Sequence, residues 1–542
     1  MYPPNTQLPV EILFHILLSS NFPLADLATF SKVCRQWYRI LFPALYDTVY
    51  LSWDVPVFAA RILYEHIPQQ DLPITPTRLG DIRPAAPING FRVTDYIKKL
   101  ILDNRVNRQR HGFCSLESAI VAAALPKLIR LKSIEWALPW LPEKAEMFSV
   151  LSQHCKKIEH ISFDIPININ RYNDDQFTHM FSFANLKHIR IKDLRLAHDP
   201  ETNGHIPPSL IRMMVSSPEL EHLELELQEN PQNEGYEEIG WLVEAIAPVL
   251  AHTFPNLKTF SLKGTANIDS EFFVNAGENS DIRSFLFRHP NLHTLELPWD
   301  WSMNALIHEP LQLATTALRG VLPNLRRFSG PTYLVALFLK LDFARGLEHL
   351  AIHDTADDEE SDLSKFARSF PRLPNLQRLD FLSSYMLDSA SFFEVVKATP
   401  NITELTLLWV DGDPETTRVA LTSLAKLRAL NLGFNVLPHL CNRSQKYVSK
   451  EQESHEVFEL ARQCPSLKFL RIYPEEDTPG GLDHQICWYI QRCSTGVINI
   501  TFSGPLEWSN IGGDLMSDVG YYQRLYKVFT EQYWGFTPTI EV

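Results

Sequence analysis

Residues 255–262 read Pro255-Asn256-Leu257-Lys258-Thr259-Phe260-Ser261-Leu262, and residues 290–297 read Pro290-Asn291-Leu292-His293-Thr294-Leu295-Glu296-Leu297. In both, a proline and an asparagine lead into an apolar residue, two variable residues, and two apolar residues separated by one. Proline ends a preceding helix because it lacks an N–H and its ring clashes with helical backbone, and asparagine tolerates a tight turn. The apolar alternation then puts both large side chains on one face of a short strand. Helix, turn and strand make one unit.

That unit recurs. Pro323-Asn324-Leu325, Pro374-Asn375-Leu376 and Pro400-Asn401-Ile402 repeat it, while Pro126-Lys127-Leu128, Pro218-Glu219-Leu220 and Pro465-Ser466-Leu467 vary it. The first apolar anchors are Ile97, Leu128, Ile158, Leu186, Leu220, Leu257, Leu292, Leu325, Leu347, Leu376, Ile402, Leu427, Leu467 and Val497. Their mean spacing is about 31 residues, within the range of supersecondary repeats. Helix-like segments precede the turns, as at 239–246 and 392–396. One unit cannot bury its apolar strand face, but stacked units can. The expectation is a solenoid with parallel strands on the concave side and helices on the convex side. An all-helical array of the HEAT or armadillo kind shares the period, but the two-residue alternation after each turn argues for strands. Tyr46-x-x-Val49-x-Leu51 reads as an additional first strand.

Composition narrows the partners. With 64 acidic and 50 basic residues the net charge is −14, so no global positive field exists to grip a phosphate backbone, and nucleic acid is not expected as a ligand. The seven cysteines are scattered and form no Cys-x-x-Cys pair, so no metal is expected and reduced thiols are the economical reading. The apolar stretch 8–18 is broken by Glu11 and His15, which suits neither a signal peptide nor a membrane span. A cytoplasmic or nuclear location, or both, is expected, with no membrane contact.

The first fifty residues follow a different pattern. Pro9 suits a first helical turn, and Ile12, Leu13, Ile16 and Leu17 form an apolar stripe. A turn at Ser19-Ser20-Asn21-Phe22-Pro23 leads to a second helix through Trp37, with Leu27, Phe30, Val33, Cys34 and Trp37 three and four apart. A third stub is expected at 43–46. So small a module barely buries its own surface, so another chain or the rest of this one should cover part of the stripe.

Leu8-Pro9-x-Glu11-Ile12-Leu13-x-x-Ile16-Leu17, then Asp26-Leu27, then Val33-Cys34-Arg35-x-Trp37 resembles the F-box family in order and approximate spacing. The five-residue turn is longer than the commonest form. The resemblance implies helices that dock onto a Skp-type adaptor and, through it, a cullin–RING ubiquitin ligase. It makes Leu8, Pro9, Ile12, Leu13, Ile16, Leu27, Val33, Cys34 and Trp37 the adaptor-contact or module-core residues. The later units resemble irregular leucine-rich repeats of the ribonuclease-inhibitor sort. The fold expected is α/β: a three-helix F-box-like module over 1–47, a first strand and Pro-rich linker over 48–96, a leucine-rich-repeat solenoid over 97–504 and a cap over 505–542.

No Gly-rich phosphate loop, HExxH or Gly-x-Ser-x-Gly occurs, nor a RING- or HECT-like cysteine centre, so neither an enzyme nor a cofactor is expected. An unidentified protein target is expected on the strand face, where Arg190, Glu224, Ser261, Glu296, Asp380, Thr406, Asn431 and Arg471 lie between the motif leucines and should point outward. Trp299, Asp300, Trp301, Trp409 and Tyr473 follow their strands on one rim, and exposed tryptophans dominate interface energetics. The reading is a substrate receptor of an SCF-type ligase. A non-degradative scaffold and a leucine-rich inhibitor of an enzyme are the alternatives.

Overall fold

A computed structural model describes residues 24–51, 55–66, 92–103, 115–138, 145–168, 174–196, 206–229, 241–264, 266–267, 281–298, 318–353, 363–382, 387–408, 410–433, 436, 450–473, 486–492 and 498–503. The expected cap over 505–542 lies outside them. The chain divides into two units, Met1–Leu225 and Glu226–Val542.

In the first unit, strands β1 (Thr48–Leu51), β2 (Lys99–Asp103), β3 (Ser133–Ala137), β4 (His160–Asn168), β5 (His188–Leu196) and β6 (His222–Glu229, in which the unit boundary falls) lie side by side in chain order. Thr48, Lys99, Ser133, His160 and His188 stand in register, and the pairings from β1 to β5 are parallel. Each strand returns to the next through a helix: Val55–Glu65, Ser115–Ala124, Glu146–His154, Asp174–Met180 or Pro208–Val215. The alternation of the sequence becomes two buried rows, Val49–Leu100–Ile134–Ile161–Ile189 and Leu102–Trp136–Phe163–Ile191. Phe148 fills the space beneath, edge-on to both Trp136 and Phe163 at 5.2 and 5.4 Å.

The second unit repeats the plan with β7 (Thr259–Lys263), β8 (Thr294–Glu296), β9 (Arg327–Pro331), β10 (His349–His353), β11 (Arg378–Phe381), β12 (Glu404–Leu407), β13 (Ala429–Gly433) and β14 (Phe469–Tyr473), all parallel. Its buried row runs Phe260, Leu295, Phe328, Leu350, Leu379, Leu405, Leu430 and Leu470. Strands pair throughout, which rules out an all-helical array for the described residues.

Asparagine does more in the turns than tolerate them. The side-chain amides of Asn324, Asn375 and Asn401 donate to Pro290 O, Arg345 O and Pro374 O at 3.1, 2.8 and 2.7 Å, tying each turn to the preceding one. Ser466 does the same with Ala425 O at 2.7 Å. Close stacking also dictates Gly433, where an added Cβ would lie 1.7 Å from Leu408 O.

Four local expectations are corrected. Leu131 rather than Leu128 is the anchor of β3: its N–H bonds Leu128 O, and Ile134, three residues later, pairs with Leu100. Val497 does not open a further parallel repeat, since β15 (Ile486–Arg492) pairs antiparallel with β14, and β16 (Ile498–Ser503) pairs antiparallel with β15. The second N-terminal helix is not continuous to Trp37. It stops at Phe30, where Ser31 Oγ bonds Ala28 O, and Cys34 is fully extended before a new helix, Arg35–Leu45. That helix absorbs the expected stub, with Pro43 inside it.

Candidate protein-interaction sites

Helices α1 (Leu24–Phe30) and α2 (Arg35–Leu45) form a small apolar centre. Ile40 and Leu41 are buried, with Leu27, Phe30, Trp37 and Leu45 packed against them. The Phe30 and Trp37 rings meet edge-on at 5.9 Å. Leu27 and Trp37 therefore support the module from within. The connecting turn behaves differently: Val33 is 63% exposed and Cys34 is exposed beside it. Among the described residues nothing covers the Val33 side chain. On its other side α2 is seated on the first repeats, with Phe42 buried against Tyr46 and Tyr96 at 4.6 and 5.4 Å. Leu8, Pro9, Ile12, Leu13 and Ile16 lie outside the described residues.

The strand face without leucines is shallower around Arg190 and the histidines of the first unit than in the second, while Lys192 of the first is buried against Asp164 at 3.1 Å. In the first, Arg190 and Glu224 form an ion pair at 3.1 Å with both side chains 14% exposed. Beside them His160, His188 and His222 stack along three strands, their rings 5.6 and 5.2 Å apart. Burial, then the neighbouring His222, pushes His188 down to about 4, so the ring is neutral at pH 7.

In the second unit the residues expected to point outward are buried: Ser261, Glu296, Asp380, Thr406 and Asn431 are each no more than 3% exposed. Their polar groups are used internally. Lys263 pairs with Glu296 at 3.6 Å, and Ser261 Oγ donates to the same carboxylate at 2.5 Å. His349 Nε2 meets Asp380 Oδ2 at 2.7 Å, and Arg378 donates to that oxygen at 2.8 Å. Burial opposes charge on Asp380, but Arg378 and His349 hold its carboxyl well below the usual range. Burial also pushes His349 down despite the carboxylate, so the pair is a neutral imidazole donating to Asp380, and Arg378 supplies the positive charge. Ser329 Oγ and His353 Nε2 lie 2.6 Å apart, and burial drives His353 down to about 3. Asn431 donates to Thr406 Oγ1 at 3.1 Å. The sequence reading missed Lys263, Ser329, His353 and Arg378 as members of this row. Their strand positions, in phase with the outward residues, were the available signal.

Arg471, the remaining strand-face residue, is half-buried with its guanidinium 5.1 Å from the Phe469 ring, and of the rim residues Tyr473 ends β14. Trp299, Asp300, Trp301 and Trp409 lie outside the described residues. Among the described residues no group of His, Cys, Asp and Glu could hold a metal ion, and no helix is long and apolar enough to cross a membrane.

Residues 6–52 match the family model described as F-box-like. No curated protein matches the chain. Similar solved structures include the leucine-rich repeat-containing protein LegL7 from Legionella pneumophila, 14% identical over 57% of this chain and 90% of that one, with a TM-score of 0.33. TLR13 in its complex with ssRNA13 is 13% identical over 71% of this chain and 55% of that one, with a TM-score of 0.25. The repeat architecture rests on the strand order and registers above rather than on these two likenesses.

Proposed function

We propose that this chain, an F-box-like segment followed by leucine-rich repeats, is the substrate-recognition subunit of an SCF-type ubiquitin ligase. The observation that carries the reading is the exposed Val33–Cys34 turn, held out by an internal Leu27–Phe30–Trp37 cluster within the segment that matches the F-box-like model. The Skp-type adaptor would cover that turn together with the apolar stripe at 12–17, and the cullin–RING assembly would follow the adaptor. The repeats would hold a protein target. The chain supplies no transfer chemistry in this reading. It raises the effective concentration of target beside the charged enzyme, which alone accelerates a bimolecular step. Work in the cytoplasm or nucleus fits that role.

Val33→Asp tests the reading better than a Trp37 substitution, because Trp37 also packs inside the module. A carboxylate pressed into an apolar interface should weaken adaptor capture by at least about tenfold. Thermal unfolding of the full chain should be unchanged. Equal co-purification of a Skp-type adaptor by the folded variant and the native chain would remove the ligase reading.

A further inference from the structure

The turns that lead into the strands carry different chemistry in the two units. In the second, Asn324, Asn375, Asn401 and Ser466 each bond a carbonyl of the preceding turn, so their side chains serve the stack. In the first, Arg130 makes the equivalent bond to Asp95 O at 2.9 Å. Lys157, in the same turn position one repeat later, is exposed and makes no such bond. Lys127, Lys132 and Lys156 are exposed on the same edge. Among the described residues none of these four lysines has an ion-pair partner.

Their proximity is fixed by backbone and core contacts. Cys155 Sγ donates to Leu128 O at 3.2 Å, which sets the turn carrying Lys156 and Lys157 directly on the turn carrying Lys127. Lys132 N bonds Lys98 O at 2.7 Å, and Glu159 N bonds Lys132 O at 2.8 Å. Two nearby acids are already engaged, Asp47 with Lys98 at 2.5 Å and Glu159 with Lys187 at 3.3 Å, while Asp95 is exposed beside Arg130. Ile129, 58% exposed, sits among the lysines. Burial, then Arg92 and Lys127, push the nearby His66 below its ordinary value, against Asp95, which raises it.

We propose that this edge of the first unit, Lys127, Lys132, Lys156 and Lys157 around Ile129, docks an acidic polypeptide segment of a partner protein. The fold does not require lysine at position 157, since asparagine or serine does the structural work at the corresponding turns. Four unneutralised ammonium groups with one apolar residue suit a run of carboxylates carrying an apolar side chain. Lysine is a point charge without the guanidinium fork that favours phosphate, and no exposed aromatic ring stands among these residues to stack on a base. The net charge of −14 repels a long polyanion while leaving a short acidic stretch within one Debye length of the lysines. The inference goes beyond the ligase reading and does not depend on adaptor binding.

The test is fluorescence anisotropy of the full chain with a labelled peptide of Asp and Glu interspersed with Leu. A peptide with Asn and Gln in place of the acids and a single-stranded oligonucleotide of equal charge serve as comparators. The acidic peptide should bind best and weaken roughly tenfold or more as salt rises from ~0.05 to ~0.3 M. Lys127→Gln, Lys132→Gln, Lys156→Gln and Lys157→Gln together should reduce binding by a similar factor. Lys426→Gln with Lys468→Gln, on the turn edge of the second unit, should leave it within about twofold. Changing the four lysines to Glu should transfer binding to a Lys-rich peptide, so a lost interaction is distinguishable from lost folding. Undiminished binding by the Gln variant, no binding by the native chain, or equal or tighter binding of the oligonucleotide would overturn the proposal.

Discussion

The leucine-free strand faces of the two units carry similar residue types at different depths. Arg190, Glu224 and the histidine stack of the first unit are only partly buried, although Lys192 on the same face is buried against Asp164 at 3.1 Å, whereas Glu296, Asp380, Thr406 and Asn431 of the second are all buried. In the second unit, polarity is consumed by internal pairs. The lesson is that a charged residue between two leucines marks a strand face, but only its depth decides whether that face can meet a ligand. A buried charge must be compensated within the chain or it destabilises the fold.

The strongest way to break this comparison is to remove one member of a buried pair. Lys263→Met removes the cation paired with buried Glu296 and should cost ~3–5 kcal/mol in urea unfolding. Lys263→Met with Glu296→Leu should recover most of that loss. Arg190→Met, at a pair whose side chains are each 14% exposed, should cost less than Lys263→Met. Equal losses for the two single variants would contradict the difference in depth.

Acid should separate the units next. Neutral His188 and His353 have folded-state values of about 4 and about 3, below the ordinary 6.5. Between the ordinary and folded values the unfolded chain binds the proton and the folded chain does not. Stability is therefore full above the ordinary value and falls as pH drops through that window. His188→Gln should flatten the decline down to about 4, and His353→Gln down to about 3. The depressed carboxyl of Asp380 adds a loss below the ordinary carboxylate value of 3.8, which Asp380→Asn should remove. Unfolding midpoints across pH would check each slope, and a slope unchanged by His353→Gln would place that ring in water.

The smallest expected effects concern the turns. Asn401→Ala removes an exposed ladder bond and should cost about 1 kcal/mol or less in thermal unfolding. Lys157→Asn should leave stability the same or raise it by a few tenths of a kcal/mol, because it offers the turn a bond it lacks. A loss from Lys157→Asn would show that the lysine has a structural duty.

The architecture was legible because its cause is local. Pro-Asn turns and leucine alternation dictate strand after strand, and twelve of the fourteen anchors stand where the structure opens a repeat, Leu128 and Val497 being the exceptions. The misplacement at Leu128 arose because residues 125–131 contain two successive turns, each closed by a leucine N–H: Leu128 to Leu125 O and Leu131 to Leu128 O. Periodicity could not choose between them. The break at Ser31–Cys34 was hidden because its residues keep helical spacing while Cys34 is extended. Burial of Glu296 and Asp380 depends on partners contributed by other strands, which no single repeat reveals. The role of Trp37 was similarly divided only by geometry, with Phe30 beside it and Val33 turned away.

Titrating a purified Skp-type adaptor into the native full chain and into Val33→Asp, with heat as the readout, tests the central claim most directly. One adaptor should bind per native chain, with affinity lowered at least about tenfold in the variant and the unfolding midpoint unmoved. Indistinguishable binding curves, or no binding by the native chain, would contradict the account.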